Sequence, residues 1–319
     1  MLQILLVTFP FFALVLLGYL ATQARVLPRE AIGGLNSFVL YFALPCMLYR
    51  FGARTPIAQL LDVRVASTWL ACALIMVTFT VLTTRRGAVG WNDAAFGALV
   101  ATFPNSGFMG VPLLATLVGA ASAAPVIVTL TIDMVITSSL CVALSRLDTM
   151  DEHGVRRAAV HALRGMALNP LPWSILLGCL SSATGWSPPA PVATTVGLLA
   201  DAASPTALFT IGAVLARPRA RAPAQDLGTT GAVAQLVLYK LLVHPTLVLS
   251  AGALAAAVGR PVPHTALVAM TLLAALPSAS NVPMLAERFG ADTARVARVV
   301  MISTALAFLT FSLAVAWLV

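Results

Sequence analysis

Long apolar runs alternate with short polar segments along almost the whole 319-residue chain. Each run is about 20 residues long, enough for an α-helix to cross the hydrocarbon core of a bilayer. The pattern predicts an all-α integral membrane protein with ten membrane-spanning helices, over residues 3–21, 31–50, 64–83, 92–118, 122–143, 166–184, 190–216, 231–257, 264–288 and 298–318.

Composition supports this prediction, because 60% of the residues are hydrophobic, only 9% are charged, and the mean hydropathy is +0.95. The net charge of +8 does not indicate nucleic-acid binding, because the arginines are unevenly distributed between the loops. With the N-terminus placed outside, only four arginines lie on the outer side: Arg50, Arg54, Arg64 and Arg260. Cytoplasmic loops attract an excess of positive charge. We therefore predict a multi-pass protein of the bacterial inner (plasma) membrane with both termini outside.

A polar connecting segment, residues 144–165, divides the chain into two five-span halves, 1–143 and 166–319. Because five is odd, equivalent helices of the two halves must cross the membrane in opposite directions. Secondary transporters are commonly built from such inverted repeats. Prolines at matching places support the repeat: Pro45 and Pro205 in spans 2 and 7, and Pro104 and Pro277 in spans 4 and 9.

Helix-breaking residues cluster inside spans 4 and 9, as FPNSGFMGVP (103–112) and LPSASNVP (276–283). Unwound backbone at membrane depth is tolerated only where protein buries it or where it lines a wet cavity. The N-termini of two such half-helices would carry partial positive charge and free N–H groups, which suit an anion. The candidate substrate-binding residues are Pro104, Asn105, Ser106, Gly107, Pro277, Ser278, Ser280 and Asn281. The alternative is that the prolines only kink two packed helices.

Three stretches of the chain resemble the auxin efflux carrier family. They are PNSGFMGVPLL, LLADAASPTALFTIGAVLA (198–216) and LPSASNVPMLAERFGADTARVARVVMIST (276–304). The resemblance implies ten helices in two inverted repeats, with helices 4 and 9 broken where they cross, as in sodium/proton antiporters. It also implies an elevator mechanism, with helices 1, 2, 6 and 7 as scaffold and helices 3–5 and 8–10 moving. Bacterial members include carriers of malonate and other organic acids, and Asn105 matches an asparagine that helps to hold substrate. Ser278 and Ala279 replace the glutamine-glycine pair of plant members, so auxin itself is not predicted.

Three ionisable residues in the spans are candidates for ion coupling or charge pairing: Asp133, Lys240 and Asp201. Charges at membrane depth are costly and usually functional. Asp133 and Lys240 could form an ion pair that opens on substrate or proton binding, or a permanent structural pair. Lys240 could instead face the site and attract a carboxylate. For Asp201 we favour a helix cap over a coupling acid, and for His244 a hydrogen-bonded packing role over a functional one.

These observations predict a secondary transporter of small organic anions, which are mono- or dicarboxylates. The transporter is expected to work by an elevator mechanism, and protons are the candidate coupling ion. The alternative is a passive channel or an uncoupled facilitator for weak acids. The sequence contains no HExxH, GxSxG or P-loop motif, so neither an enzyme nor a bound cofactor or metal is expected. A homodimer is expected by analogy with other elevator carriers.

Overall fold

A computed structural model describes residues 2–28, 30–54, 62–85, 89–147, 170–216 and 227–319. These ranges are helical and contain no strand. The helices are α1 (Leu2–Gln23), α2 (Ala31–Arg54), α3 (Val63–Thr84), α4 (Trp91–Thr102), α5 (Val111–Leu117), α6 (Ala123–Leu144), α7 (Pro170–Thr184), α8 (Ala190–Leu215), α9 (Leu227–Leu238, continuous through Tyr239–Val243 with His244–Ala257), α10 (His264–Ala275), α11 (Val282–Arg288) and α12 (Thr293–Leu318). From residue 148 onward the predicted connecting segment 144–165 lies outside the described residues, together with several of the arginines that predict the orientation.

Six helices are long and apolar enough to cross a membrane, namely α2, α3, α6, α8, α9 and α12. Four shorter apolar helices accompany them: Phe12–Gln23, Ser106–Leu117, Trp173–Thr184 and His264–Ala275. The prediction of a multi-pass, all-helical membrane protein is therefore confirmed. The count of ten spans stays a prediction.

Prolines widen two of the long helices without ending them. In α2 a π-helical turn, Val39–Ala43, lies just before Pro45, and in α9 a second one, Tyr239–Val243, lies just before Pro245. A proline inside a helix removes one hydrogen bond and clashes with the preceding turn. The wider turn accommodates the ring, and the helix continues beyond it.

The chain divides into two compact units, and unit 1 comprises Met1–Asp62, Gly107–Val128 and Asn169–Ala220. Its helices pack through glycines at which an added Cβ would lie too close to neighbouring backbone. On α1 and α8, a Cβ at Gly18 would lie 1.9 Å from the Phe209 oxygen, and one at Gly212 would lie 1.8 Å from the Val15 oxygen. Small residues let membrane helices approach closely, and their van der Waals contact then stabilises the pair.

A second helix pair of unit 1, α2 with α7, uses the same device. A Cβ at Gly52 would lie 2.8 Å from the Ile175 oxygen, and one at Gly178 would lie 2.3 Å from the Tyr49 oxygen. Gly18 and Gly178 are separated by 160 residues in the chain, and so are Gly52 and Gly212. The matched prolines Pro45 and Pro205 have the same separation.

Unit 2 comprises Val63–Ser106, Thr129–Leu168 and Arg221–Val319, and its two short helices α4 and α10 are the most deeply buried. Every residue from Ala94 to Thr102 and from Val268 to Ala275 is buried. A helix that is apolar on all sides belongs in the interior. Each unit draws segments from both predicted halves, 1–143 and 166–319, and the division into halves stays a prediction.

Candidate functional site

Helices α4 and α10 end for the same local reason. Phe103 precedes Pro104 and is extended, with φ −80° and ψ 107°; Leu276 precedes Pro277 and is also extended, with φ −64° and ψ 157°. The proline ring disfavours helical backbone in the residue before it. Both breaks begin at the prolines of spans 4 and 9, as the sequence predicts, and both prolines belong to unit 2.

The two breaks are hydrogen-bonded to each other through their backbones. Asn105 N–H donates to the Pro277 oxygen at 2.9 Å, and Ala279 N–H donates to the Phe103 oxygen at 2.9 Å. Pro104 and Ser278 face each other in this antiparallel pairing. Unwinding frees polar groups that an apolar interior cannot leave unpaired. The pairing satisfies them across the two chain segments.

Side chains complete the hydrogen bonding of the second break. Ser278 N–H, which would bond to the Ala274 oxygen in a continuous helix, is instead 3.2 Å from Ser303 Oγ. The Ala274 oxygen accepts from Lys240 Nζ at 2.7 Å. Lys240 is fully buried and is the only lysine in the chain. It brings a positive charge to the C-terminus of α10, where the helix dipole is negative.

Three predicted site residues present buried polar side chains at the breaks: Asn105, Ser106 and Ser278. The Ser106 and Ser278 hydroxyls have no hydrogen-bond partner within the described part of the chain. Buried polar atoms are normally paired, so such exceptions require an explanation. Ser280 and Asn281 follow the backbone pairing and are half-buried.

Like the two serine hydroxyls, the Asn105 amide makes no hydrogen bond among the described residues, and Asn105 is 3% exposed whereas both serines are fully buried. Gly107, the remaining predicted site residue, begins the segment of the chain that belongs to unit 1. The structure therefore brings Pro104, Asn105 and Ser106 together with Pro277 and Ser278.

Asp133 begins a π-helical turn of α6, Asp133–Thr137, and is fully buried. Its Oδ1 accepts from Trp69 Nε1 at 3.1 Å and from Thr137 Oγ1 at 3.0 Å, while Oδ2 has no partner within the described residues. Ser138 Oγ donates to the Asp133 backbone oxygen at 2.8 Å, which places a hydroxyl in the wider turn. π-helical turns within α-helices are frequent at functional sites.

Asp133 and Lys240 do not form the direct ion pair that the sequence suggested. Lys240 Nζ is 3.2 Å from His244 Nδ1, and the His244 ring contacts the Trp69 ring at a centroid distance of 5.3 Å. When Lys240 is protonated its ammonium has only donors, and His244 Nδ1 is then the acceptor of this hydrogen bond. Lys240 Nζ donates to the Ala274 oxygen and not to Asp133. Lys240 and Asp133 are linked only indirectly, because Lys240 contacts His244, His244 contacts Trp69, and Trp69 donates to Asp133.

Asp201 does not cap a half-helix, because α8 continues through Pro205 without a break. Asp201 lies in the interior of α8, within unit 1, and accepts from Arg50 Nη1 at 2.7 Å. Its side chain is 69% exposed. Asp201 therefore takes part in an ion pair of unit 1, and Arg50, interpreted from sequence as an orientation signal, is its partner.

Sequence reasoning did not identify Trp69 or the role of Ser303. The hydrogen-bonded packing role favoured for His244 agrees with the structure, in which the buried His244 ring contacts Trp69 and lies within hydrogen-bond distance of Lys240. The Ser303 Oγ donates to the Val300 oxygen at 3.1 Å, within its own helix, and also accepts from the Ser278 N–H at 3.2 Å. Trp69 lies in an unbroken apolar span and gives no signal in the sequence. Within the described residues, no three His, Cys, Asp or Glu side chains lie together in a group that could hold a metal ion.

Comparisons with known proteins cover nearly the whole chain. The family model described as membrane transport protein matches residues 4–315. A Rhizobium meliloti (strain 1021) protein named "Putative malonate transporter" is 30% identical over 94% of this chain and 91% of its own length. The Escherichia coli (strain K12) protein "Uncharacterized transporter YfdV" is 25% identical over 89% of this chain and 88% of its own. Auxin efflux carrier component 7 of Arabidopsis thaliana is 29% identical over 36% of this chain and 19% of its own.

Proposed function

The chain belongs to the membrane transport protein family, which includes the auxin efflux carriers, and we propose that it is a secondary transporter of small organic anions. The observation that carries this proposal is the pair of helix breaks joined at Pro104 and Ser278 in a buried, apolar unit. Unwound backbone at such a place is tolerated where it is buried in protein or lines a polar cavity. Transporters of this construction bind their substrates at discontinuous helices.

The polar groups at the breaks support a carboxylate as the transported group. The Asn105 amide and the Ser106 and Ser278 hydroxyls can all donate, and each lacks a partner in the described chain. Hydrogen bonds from such donors to an ionised acceptor are stronger than neutral ones. The name of the Rhizobium relative supports a dicarboxylate such as malonate within this class.

The glycine pairs of unit 1 support the proposed inverted repeat. Helices α1 and α8 pack through Gly18 and Gly212, and α7 and α2 pack through Gly178 and Gly52. Gly18 of the first pair corresponds to Gly178 of the second, and Gly212 corresponds to Gly52, because each two are 160 residues apart. Exchanging spans 1 with 6 and 2 with 7 converts one helix pair into the other. We therefore infer ten helices in two five-helix repeats, with the broken helices crossing.

The division into two units supports an elevator mechanism in which unit 2, which holds both breaks, moves the substrate. Unit 1 contains spans 1, 2, 6 and 7, which the family resemblance assigns to the scaffold. The segment Gly107–Val128, from spans 4 and 5, also falls in unit 1 and is the exception to that assignment.

Coupling to protons is supported by buried Asp133 and Lys240, which lie in π-helical turns of two helices of unit 2. The uneven distribution of arginines supports both termini outside. The similarity to bacterial transporters supports the bacterial inner membrane, and analogy with elevator carriers supports a homodimer. Protease access to a C-terminal tag in intact spheroplasts tests the orientation.

Uptake of radiolabelled malonate, succinate, lactate and indole-3-acetate into proteoliposomes, with and without an imposed pH gradient, tests the function. We expect saturable uptake of malonate or succinate, with counterflow when the vesicles are preloaded. Dependence on the pH gradient that disappears in Asp133→Asn would support proton coupling.

Flux that does not saturate and shows no counterflow would indicate a channel and contradict a carrier. Absence of uptake of every acid by folded protein would contradict the substrate class. Saturable exchange that ignores the pH gradient would contradict coupling alone, and would leave Asp133 and Lys240 with a structural role.

A further inference from the structure

Unit 1 contains a cavity of about 410 Å³ that the transport mechanism does not use. The C-terminal ends of α2 and α7, the loop that follows α7, and the first half of α8 line it. The lining residues that matter for its chemistry are Tyr49, Arg50, Arg54, Ser181, Trp186 and Gly197. Two arginines and several hydroxyls make it a polar pocket at the end of apolar helices.

Hydrogen bonds fix the walls of this cavity. The Tyr49 hydroxyl is 3.1 Å from Ser181 Oγ, which is 2.5 Å from the Trp186 backbone oxygen. Gly185, with φ +66°, ends α7 in the left-handed conformation and turns the chain so that Trp186 closes this contact. Trp186 is therefore held in place although its side chain is 59% exposed.

The two arginines of the cavity have different surroundings. Arg50 Nη1 donates to Asp201 at 2.7 Å, so one positive charge is already balanced. Arg54 ends α2, is exposed, and forms no hydrogen bond or ion pair among the described residues. Among the described residues the cavity therefore presents one uncompensated guanidinium, which suits a ligand group with a single negative charge.

The neighbouring surface indicates the depth of the cavity in the membrane. Leu176, Leu177 and Leu180 are exposed on α7 and share one side of the helix, directly before Trp186. Tryptophan is enriched where the hydrocarbon core meets the lipid headgroups. The cavity thus lies at headgroup level, with an exposed aliphatic strip leading from it into the bilayer.

We propose that this cavity binds the phosphate of an anionic glycerophospholipid, with Arg54 pairing with the phosphate and the lipid chains lying along the α7 leucines. Basic pockets between membrane helices recognise anionic headgroups in this way. A guanidinium pairs with two phosphate oxygens at once. A phosphodiester carries the one negative charge that Arg54 leaves unbalanced, and the leucine strip favours a lipid over a soluble anion.

Native mass spectrometry of the purified protein with added phosphatidylglycerol tests the proposal. We expect Arg54→Gln to lower the occupancy of the tightest-bound lipid by about fivefold, the ratio expected for one basic residue near an anionic lipid. The matched control is Arg260→Gln, an exposed arginine on the same predicted side of the membrane that does not line the cavity. It should retain the lipid as the unmodified protein does.

Three outcomes would overturn the proposal. Equal retention of phosphatidylglycerol by the Arg54→Gln and unmodified proteins would exclude Arg54 as its partner. Equal retention of zwitterionic phosphatidylcholine would mean that the cavity does not recognise negative charge. Displacement of the lipid by millimolar glycerol phosphate or malonate, with loss of that effect in Arg54→Gln, would make it a site for soluble anions. None of these outcomes depends on which substrate is transported.

Discussion

The break after α4 and the break after α10 share backbone geometry but differ in how their polar groups are held. Each begins at a proline preceded by an extended residue, and each donates one N–H to the other. At the second break, Lys240 holds the freed Ala274 oxygen and Ser303 holds the Ser278 N–H. At the first, the Asn105 amide and Ser106 hydroxyl have no partner in the described chain, whereas at the second only the Ser278 hydroxyl lacks one there.

This difference assigns different roles to two similar stretches of sequence. A break whose freed backbone groups are held by side chains of other helices is a fixed element, because moving it would expose buried polar groups at a cost. Unpaired side-chain donors can be offered to a ligand without first losing internal bonds, and the α4 break retains two of them, Asn105 and Ser106, against one, Ser278, at the α10 break. We therefore expect the α10 break to act as the support and the α4 break to supply most of the substrate contacts.

Pro277→Ala should have the largest effect on this arrangement, because alanine permits α10 to continue as a helix through the break. The Ser278 N–H could then return to the Ala274 oxygen, and the pairing with Asn105 would be lost. We expect uptake to fall to background in protein that still elutes as a folded species. Pro205→Ala is the matched control, since Pro205 lies inside unbroken α8, and it should retain most of its transport. Normal uptake by Pro277→Ala would mean that the proline only kinks the helix.

Lys240→Met should have the next largest effect, measured as thermal stability in detergent. Methionine keeps the volume but leaves the Ala274 oxygen and His244 Nδ1 without their donor. An unpaired buried group costs ~1–3 kcal/mol, so the unfolding temperature should fall clearly.

A double-mutant cycle with Asp133→Asn separates the two effects of the Lys240 substitution. Coupling between the substitutions would show that the two charges act together. Additive effects would leave Lys240 as a helix cap alone. An unchanged unfolding temperature in Lys240→Met would contradict the proposed support role of the α10 break.

Asn105→Ala should weaken substrate binding while leaving stability unchanged, because no residue of the described chain holds the amide. A hydrogen bond to a charged group contributes ~1.5–3 kcal/mol, which corresponds to a loss of affinity of about ten- to a hundredfold. Binding to purified protein measures it, with Asn36→Ala on α2 as the matched control. Asn281→Ala, at the other break, should weaken binding less. Parental affinity in Asn105→Ala would place the substrate elsewhere.

The sequence predicted the breaks well, because the effect of proline on the preceding residue is local. Residues 103–105 and 276–278 needed no tertiary information to be identified as interruptions of apolar spans. The apolar runs likewise predicted a multi-pass helical protein, since length and hydropathy decide that property.

The partners of the breaks could not be read from the sequence in the same way. Lys240 was expected to meet Asp133, because two opposite charges in an apolar chain suggest a pair. The free Ala274 oxygen competes for the lysine, and it exists only because α10 is interrupted. Asp201 was expected to act as a cap because Pro205 was interpreted as a break, whereas helix α8 accommodates this proline. The outcome at each proline depends on tertiary contacts that the local pattern does not contain.

Ser106→Ala and Ser278→Ala give the smallest expected effect and the finest test of the comparison. Each removes a buried hydroxyl that lacks a partner, so stability should be unchanged or slightly higher. If the α4 break supplies the substrate contacts, Ser106→Ala should reduce affinity severalfold, and more than Ser278→Ala, in the same binding assay. Equal losses would mean that the two breaks bind substrate symmetrically, and the distinction between support and contact would then fail. No loss in either variant would assign both hydroxyls to packing and leave Asn105 as the principal donor.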